Sequence, residues 1–157
     1  MIYQFKDIMI DLETLGKNED CVILSIGAAC FDIINKKIGP TIYMPLKIEE
    51  QMDNRKIDAS TLKWWFSQSD AAKKVFNEKG YQLPEALDQL RAWIKDNANL
   101  KNVHVWGNGS TFDISILEHA FRQNKITPPW QYWHVMDLRT FRRFVAGGDK
   151  VDKKVLS

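Results

Sequence analysis

The segment that most constrains the fold is an apolar run, Ile8-Met9-Ile10, that leads into Asp11-Leu12-Glu13-Thr14. This pattern favours a short buried strand over residues 8–12. Because side chains alternate along a strand, Asp11 and Glu13 would project from one face, roughly 7 Å apart along the backbone. Two carboxylates that close raise each other's pKa unless a cation lies between them. The segment therefore predicts a site for a hard divalent ion such as Mg²⁺ or Mn²⁺.

A second acidic position follows about a hundred residues later. Residues 103–106 predict a short strand that glycines end, and Thr111 is a suitable N-cap for a helix to about Gln123. Asp113 would lie in the first turn of that helix, on the apolar face that carries Ile116. It would therefore point inward, where the helix dipole favours a carboxylate. Three such carboxylates suit phosphodiester hydrolysis assisted by two metal ions.

The size and composition of the chain fit one soluble domain over residues 1–157. Hydrophobic residues make up 45% and charged residues 27% of the sequence, and no repeat or linker divides it. The net charge of +2 does not by itself indicate nucleic-acid binding. The basic excess is local, since residues 138–157 carry six Lys and Arg against two Asp. A phosphate-facing segment and a solvated tail both fit this excess.

Two cysteines, Cys21 and Cys30, occupy the ends of one predicted strand. Nine residues of extended chain separate them by roughly 30 Å, too far for a disulfide. Reduced, buried thiols indicate a cytoplasmic protein. The first seven residues do not resemble a signal peptide, and no apolar run is long enough to span a membrane.

The remaining pattern predicts an α/β fold with a mixed five-stranded sheet flanked by helices. Its first three strands form a meander. The predicted strands are 8–12, 22–31, 41–46, 103–106 and 132–136, and the predicted helices are 60–68 with Asp58 or Ser60 as cap, a second opening at Pro84, 111–123, and one starting over 138–145.

Two signatures give the chain a family resemblance. The first is D-x-E at Asp11 and Glu13, and the second is N-x-x-x-[FY]-D at Asn108, Phe112 and Asp113. With both, the chain resembles the DEDD 3′-5′ exonucleases, which share a ribonuclease-H-like fold. The stretches 61–65, 105–109, 129–133 and 137–140 are similar to phage and prophage exonucleases of the exonuclease-VIII-like or small 3′-5′ exoribonuclease group. The resemblance covers essentially the whole chain.

The resemblance implies roles for the matching residues. Asp11, Glu13 and Asp113 would be the catalytic metal ligands for two Mg²⁺ or Mn²⁺ ions. The substrate would be the 3′ end of single-stranded DNA or RNA, and a homo-oligomer is possible. The implied substrate-binding residues are Thr14 and Leu15, which would contact the terminal nucleotide by hydrogen bonding and by stacking or wedging, and Trp64, Asn108 and Phe112.

Tryptophans and one further acid have alternative interpretations. Trp64 and Trp65 are adjacent and cannot share a helix face, so one is expected in the core while the other stacks on a base. Asp137 could be a fourth acid, although its family counterpart is structural. Core positions are predicted for Trp106, Trp130 and Trp133.

The third signature of the superfamily is absent. In that signature the last metal-binding Asp stands five residues after a His or four residues after a Tyr, on a C-terminal helix, and neither spacing occurs after Asp113. The expectation is a domain truncated at its C-terminus, without that helix, and inactive or weak as an enzyme. One alternative is a non-catalytic nucleic-acid-binding remnant of the fold. Another is a glycosidase-like carboxylate pair, which would need no metal.

Overall fold

A mixed sheet organises the chain; the computed structural model describes residues 3–145. The strands pair in the order β3-β2-β1-β4-β5. The first three pair antiparallel, whereas β4 pairs parallel to β1 and β5 parallel to β4. This confirms the predicted α/β fold with its three-stranded meander. The strands are β1 (Asp7–Thr14), β2 (Ile23–Asp32), β3 (Lys37–Pro45), β4 (His104–Gly107) and β5 (Val135–Asp137).

Within residues 3–145, three α-helices and three 3₁₀ segments connect the strands, and a fourth α-helix follows β5. The Asp58 carboxylate caps the first helix by accepting from the N–H of Ser60, and Pro84 stands in the first turn of the second. The predicted helix over 138–145 is confirmed. The predicted absence of the C-terminal helix that carries the third signature concerns residues outside the described range. The helices are α1 (Ala59–Phe66), α2 (Leu83–Asn97), α3 (Ser110–Gln123) and α4 (Leu138–Val145), and the 3₁₀ segments are Glu49–Asp53, Ala72–Asn77 and Tyr132–His134.

The two faces of the sheet differ in character. On one face, Ile8, Ile10 and Leu12 of β1 are buried beneath α2 and α3 and form the main core. The other face carries the odd-numbered residues of β1, among them Asp11 and Glu13. Beside β2 that face is covered by α1, whose Trp65 packs in a second apolar cluster. The cluster consists of Leu15, Val22, Leu24 and Trp65.

Three local predictions were wrong. Residues 132–134 form a 3₁₀ turn, so β5 starts only at Val135, and Trp133 is 59% exposed instead of buried in the core. Helix α3 begins at Ser110 without a side-chain cap from Thr111. The residue before it, Gly109, has a φ of 97°, which a glycine adopts without steric cost.

The predicted states of the cysteines and of Trp130 are confirmed. Cys21 and Cys30 are both buried free thiols, and Trp130 is buried in the main core. Within residues 3–145, no helix has the combined length and apolarity that a bilayer crossing requires.

Candidate active site

The site lies where β1 extends beyond its neighbour β4. The parallel pairing of these strands ends at Met9 opposite Trp106, and β4 ends one residue later. Strand β1 continues to Thr14, so its last residues lack a strand partner on that side. Asp11 and Glu13 project there from the open face of the sheet, and both are exposed.

Asp113 occupies the place that β4 leaves vacant. Its side chain is 3% exposed, and its Oδ1 accepts a hydrogen bond of 3.1 Å from the backbone N–H of Leu12. Gly107 allows the start of α3 to pack close to the end of β4, because a Cβ there would stand 3.1 Å from the Ser110 Cα. The helix-start carboxylate is thereby fixed beside the residue that separates Asp11 from Glu13, as the sequence predicted.

The three carboxylates influence one another electrostatically. Burial raises the pKa of Asp113 to about 6; the hydrogen bond from Leu12 opposes this rise, and the charges of Asp11 and Glu13 add to it. Partial desolvation of its carboxylate raises the pKa of Asp11, and partial desolvation and the charge of Asp11 raise the pKa of Glu13. The arrangement therefore concentrates negative charge at the end of β1.

The donor chemistry of this trio fits a hard divalent cation. Within residues 3–145, no lysine, arginine or histidine forms an ion pair with any of the three carboxylates. In that range no three acidic, imidazole or thiol side chains, this trio included, already lie close enough together to hold a metal ion. Asp11 and Glu13 are exposed, so rotation of their side chains can bring their oxygens towards Asp113.

A cleft of about 440 Å³ opens next to Glu13. Trp64 lines it and is 53% exposed, whereas Trp65 is 4% exposed. The indole N–H of Trp65 donates to the Thr14 carbonyl at 2.9 Å and so fixes α1 to the end of β1. The prediction that one tryptophan is buried and the other faces a cleft is confirmed.

The other predicted substrate-binding residues are placed unequally. Thr14 and Phe112 line the cleft, although Thr14 is 7% exposed and its hydroxyl donates to the Gly16 carbonyl. Asn108 is exposed ahead of α3 and does not line the cleft. Leu15 is 1% exposed and belongs to the second apolar cluster. Leu15 is thus placed as a core residue, and its contact with a nucleotide stays a prediction.

Three polar residues of the cleft were missed by the sequence reasoning, namely Lys17, Ser60 and Thr61. Ser60 and Thr61 precede Trp64 by four and three positions, so helical spacing alone could have placed them on its face. Lys17 lies in the turn after β1, and only its closeness in sequence to Thr14 hinted at its position.

Asp137 is a structural clamp, in agreement with its family counterpart. Its Oδ2 accepts from the N–H of Ser110 at 2.7 Å, and its Oδ1 accepts from the N–H groups of Arg139 and Thr140 at 2.8 and 3.1 Å. Partial burial alone would raise the pKa of Asp137, but these hydrogen bonds outweigh it and leave the pKa below its usual value. One carboxylate thus joins the starts of α3 and α4.

Among solved structures, the fold is similar to that of exonuclease I. The product-bound enzyme superposes with a TM-score of 0.64 at 16% identity, over 89% of this chain and 31% of that protein. E. coli exonuclease I in complex with a dT13 oligonucleotide gives a TM-score of 0.65 at 16% identity, over 91% of this chain and 30% of that one. This chain therefore spans about a third of the exonuclease I polypeptide.

Sequence comparison adds a relative with a higher sequence identity than these structures. The exodeoxyribonuclease of Enterobacteria phage T4 is 24% identical over 159 aligned positions, covering 85% of this chain and 69% of the phage protein. The profile of the family described as 3′-5′ exoribonuclease Rv2179c-like domain matches residues 6–155. The chain therefore belongs to this family, within the DEDD superfamily of 3′-5′ exonucleases.

Proposed function

We propose that this chain shortens single-stranded DNA or RNA from the 3′ end, with Mg²⁺ or Mn²⁺ held by Asp11, Glu13 and Asp113. The observation that carries the proposal is the hydrogen bond between Leu12 and Asp113, which joins a helix acid to the two acids of β1. Family membership supports the same reaction class. A metal ion at this site is supported by one structural neighbour, a complex of E. coli exonuclease I with single-stranded DNA and a zinc ion.

The side chains divide the work between two adjoining areas. The three carboxylates would hold the divalent ions, which when bound activate water and stabilise the leaving oxygen. In the adjoining cleft, the exposed face of Trp64 would stack on the terminal base. Lys17, in the same cleft, would offset the charge of a nearby phosphate. Buried Trp65 keeps this wall in place through its bond to Thr14.

We further propose that a polypeptide of these 157 residues cleaves its nucleic-acid substrate slowly. The sequence holds three of the four acids that the superfamily uses and lacks the His or Tyr of the third signature. A general base typically contributes about 10²–10⁴ in rate. The competing function is binding of a nucleic-acid end without cleavage, in which the carboxylates would matter less than the aromatic cleft.

A cleavage assay separates the two functions. DNA and RNA oligonucleotides of matched sequence, labelled at the 5′ end, are incubated with the chain in Mn²⁺ or in chelator. The proposal expects a ladder that shortens from the 3′ end, stops in chelator and is lost in the folded Asp113→Asn variant. Strand binding without shortening would favour the competing function. Shortening at the wild-type rate by Asp113→Asn would contradict the assigned site.

A further inference from the structure

We propose that Arg139 and Arg143 of α4 form a second nucleic-acid contact. These side chains would bind phosphates of the strand upstream of the terminal nucleotide, which itself occupies the cleft beside Trp64. The inference rests on the proposed function and extends it to substrates longer than a dinucleotide. It also assigns a role to part of the basic excess near the C-terminal end of the sequence.

Helix α4 lies over the face of the sheet that carries the acids of β1. Trp106 of β4 pairs with Met9, and its indole N–H donates to the Asp7 carboxylate at 2.8 Å. Paired residues on neighbouring strands project from the same face, so Trp106 shares the face of Asp11. Phe141 of α4 packs edge-to-face on Trp106 with ring centroids 5.6 Å apart.

The acids of β1 therefore lie between two helices. Helix α1 provides the cleft on the side of β2, and α4 covers the side of β4. A strand whose terminal base stacks on Trp64 would place its last phosphodiester near Glu13, which lines the same cleft. Its preceding nucleotides would then continue across the open face towards α4.

Arg139 is held at the edge of this path by backbone contacts. The Asp137 carboxylate accepts from the N–H of Arg139 and from that of Ser110, which fixes the start of α4 against the start of α3. The guanidinium packs beside Gly109, where a Cβ would stand 3.5 Å from both Cζ and Nη1 of Arg139. The charge is therefore positioned next to the helix that carries Asp113.

Among the described residues, no carboxylate forms an ion pair with either of the two guanidinium groups. Arg139 and Arg143 are both exposed and lie one helical turn apart, on the same side of α4. The three acids of the site repel a polyanion, and two cations on the adjoining helix would offset that repulsion by binding phosphates.

Binding measurements on the full 157-residue chain test the inference. The ligands are a 5′-fluorescent oligothymidylate of about 12 nucleotides and the thymidine dinucleotide, in chelator so that cleavage does not occur. The Arg139→Ala/Arg143→Ala variant should bind the longer strand about tenfold more weakly, with the slope of log K against log salt reduced by about 1.4 for two phosphates. Its dinucleotide affinity should stay within about twofold of wild type, because one phosphate cannot reach α4 from the cleft.

Two further variants control for charge and folding. Arg91→Ala/Lys95→Ala removes two exposed cations one turn apart on α2, which packs on the opposite face of the sheet, and should bind like wild type. Arg139→Lys/Arg143→Lys keeps the charge and should recover most of the affinity for the longer strand. Equal losses for both ligands, or an equal loss in the α2 control, would overturn the inference.

The outcome also separates the inference from the proposed function. If wild type binds and shortens 3′ ends while the α4 variant behaves identically, the second contact is wrong and the exonuclease site stands. If wild type binds neither ligand, the proposed function fails and the inference fails with it.

Discussion

The backbone N–H of Leu12 donates to the Asp113 carboxylate at 3.1 Å, and this hydrogen bond connects β1 to the first turn of α3. It satisfies a buried backbone group of β1 that no strand pairs. It also holds a charged group in a buried position near two further acids, which raises the pKa of Asp113 to about 6. A metal-free protein therefore bears an electrostatic cost that a bound cation would relieve.

Asp113→Asn should stabilise the metal-free protein near neutral pH. The amide oxygen can still accept from Leu12, while the buried charge disappears. A pKa raised from 3.8 to about 6 corresponds to at most about 3 kcal/mol of unfolding free energy. Urea denaturation of wild type and variant in chelator at about pH 8 measures the gain.

The gain should depend on pH in a defined direction. The folded state holds the proton of Asp113 more tightly than the unfolded state, so the wild type loses stability as the pH rises from below about 4 to above about 6. The advantage of Asp113→Asn should vanish at about pH 4. A variant less stable than wild type at about pH 8 would contradict the electrostatic account.

Divalent ions should remove most of the stability advantage that Asp113→Asn has over wild type. If Mn²⁺ binds the native carboxylates, a concentration 100 times the Kd adds about 2.7 kcal/mol to the unfolding free energy of wild type. Asp11→Asn, Glu13→Gln and Asp113→Asn should each lose most of this gain. Thermal melts with and without Mn²⁺ test it, and a variant stabilised as much as wild type would exclude that residue as a ligand.

The adjacent tryptophans should give separable phenotypes. Trp64→Ala removes an exposed ring, so folding stability should change by less than about 1 kcal/mol while binding of a single-stranded oligonucleotide weakens by about 1–3 kcal/mol. Trp65→Ala empties a buried position and should cost about 3–5 kcal/mol of stability. Unchanged binding by Trp64→Ala would show that the cleft does not hold a base.

The acids were predictable because their signals are local. An apolar lead-in places Asp11 and Glu13 on one strand face, and helical spacing turns Asp113 inward. The position of Leu15 was not predictable in this way, because β1 ends at Thr14 and the alternation of its side chains ends with it. The clamp by Asp137 depends on contact with Ser110, 27 residues away, which sequence periodicity does not encode.

Leu15→Ala tests whether this side chain packs in the core or contacts a nucleotide. Because Leu15 packs in the second apolar cluster, its truncation should lower the unfolding free energy by about 2–5 kcal/mol. Oligonucleotide affinity, measured at a temperature where the variant is fully folded, should change little. A stable variant with much weaker binding would support the predicted contact of Leu15 with a nucleotide.

Arg55 should be a main determinant of stability although it lies outside the cleft. It is 3% exposed and is bonded mainly to neutral acceptors. Its Nε donates to the Cys21 carbonyl at 2.7 Å, its Nη2 to the Glu19 carbonyl at 2.8 Å, and its Nη1 to the Gln123 side chain at 2.9 Å. The guanidinium thus ties the turn after β1 to the end of α3.

Arg55→Met keeps a long apolar stem but leaves these acceptors without a donor, so it should lower the unfolding free energy by roughly 3 kcal/mol. Lys56→Ala is the matched control from the next position. Its side chain is 81% exposed and forms a 3.2 Å ion pair with Asp20, and such pairs contribute at most about 1 kcal/mol. Because Gln123 and Asp113 share α3, Arg55→Met should also raise the Mn²⁺ concentration needed for stabilisation, whereas Lys56→Ala should not. Urea denaturation with and without Mn²⁺ measures both quantities, and equal behaviour of the two variants would show that the buried guanidinium does not position the helix.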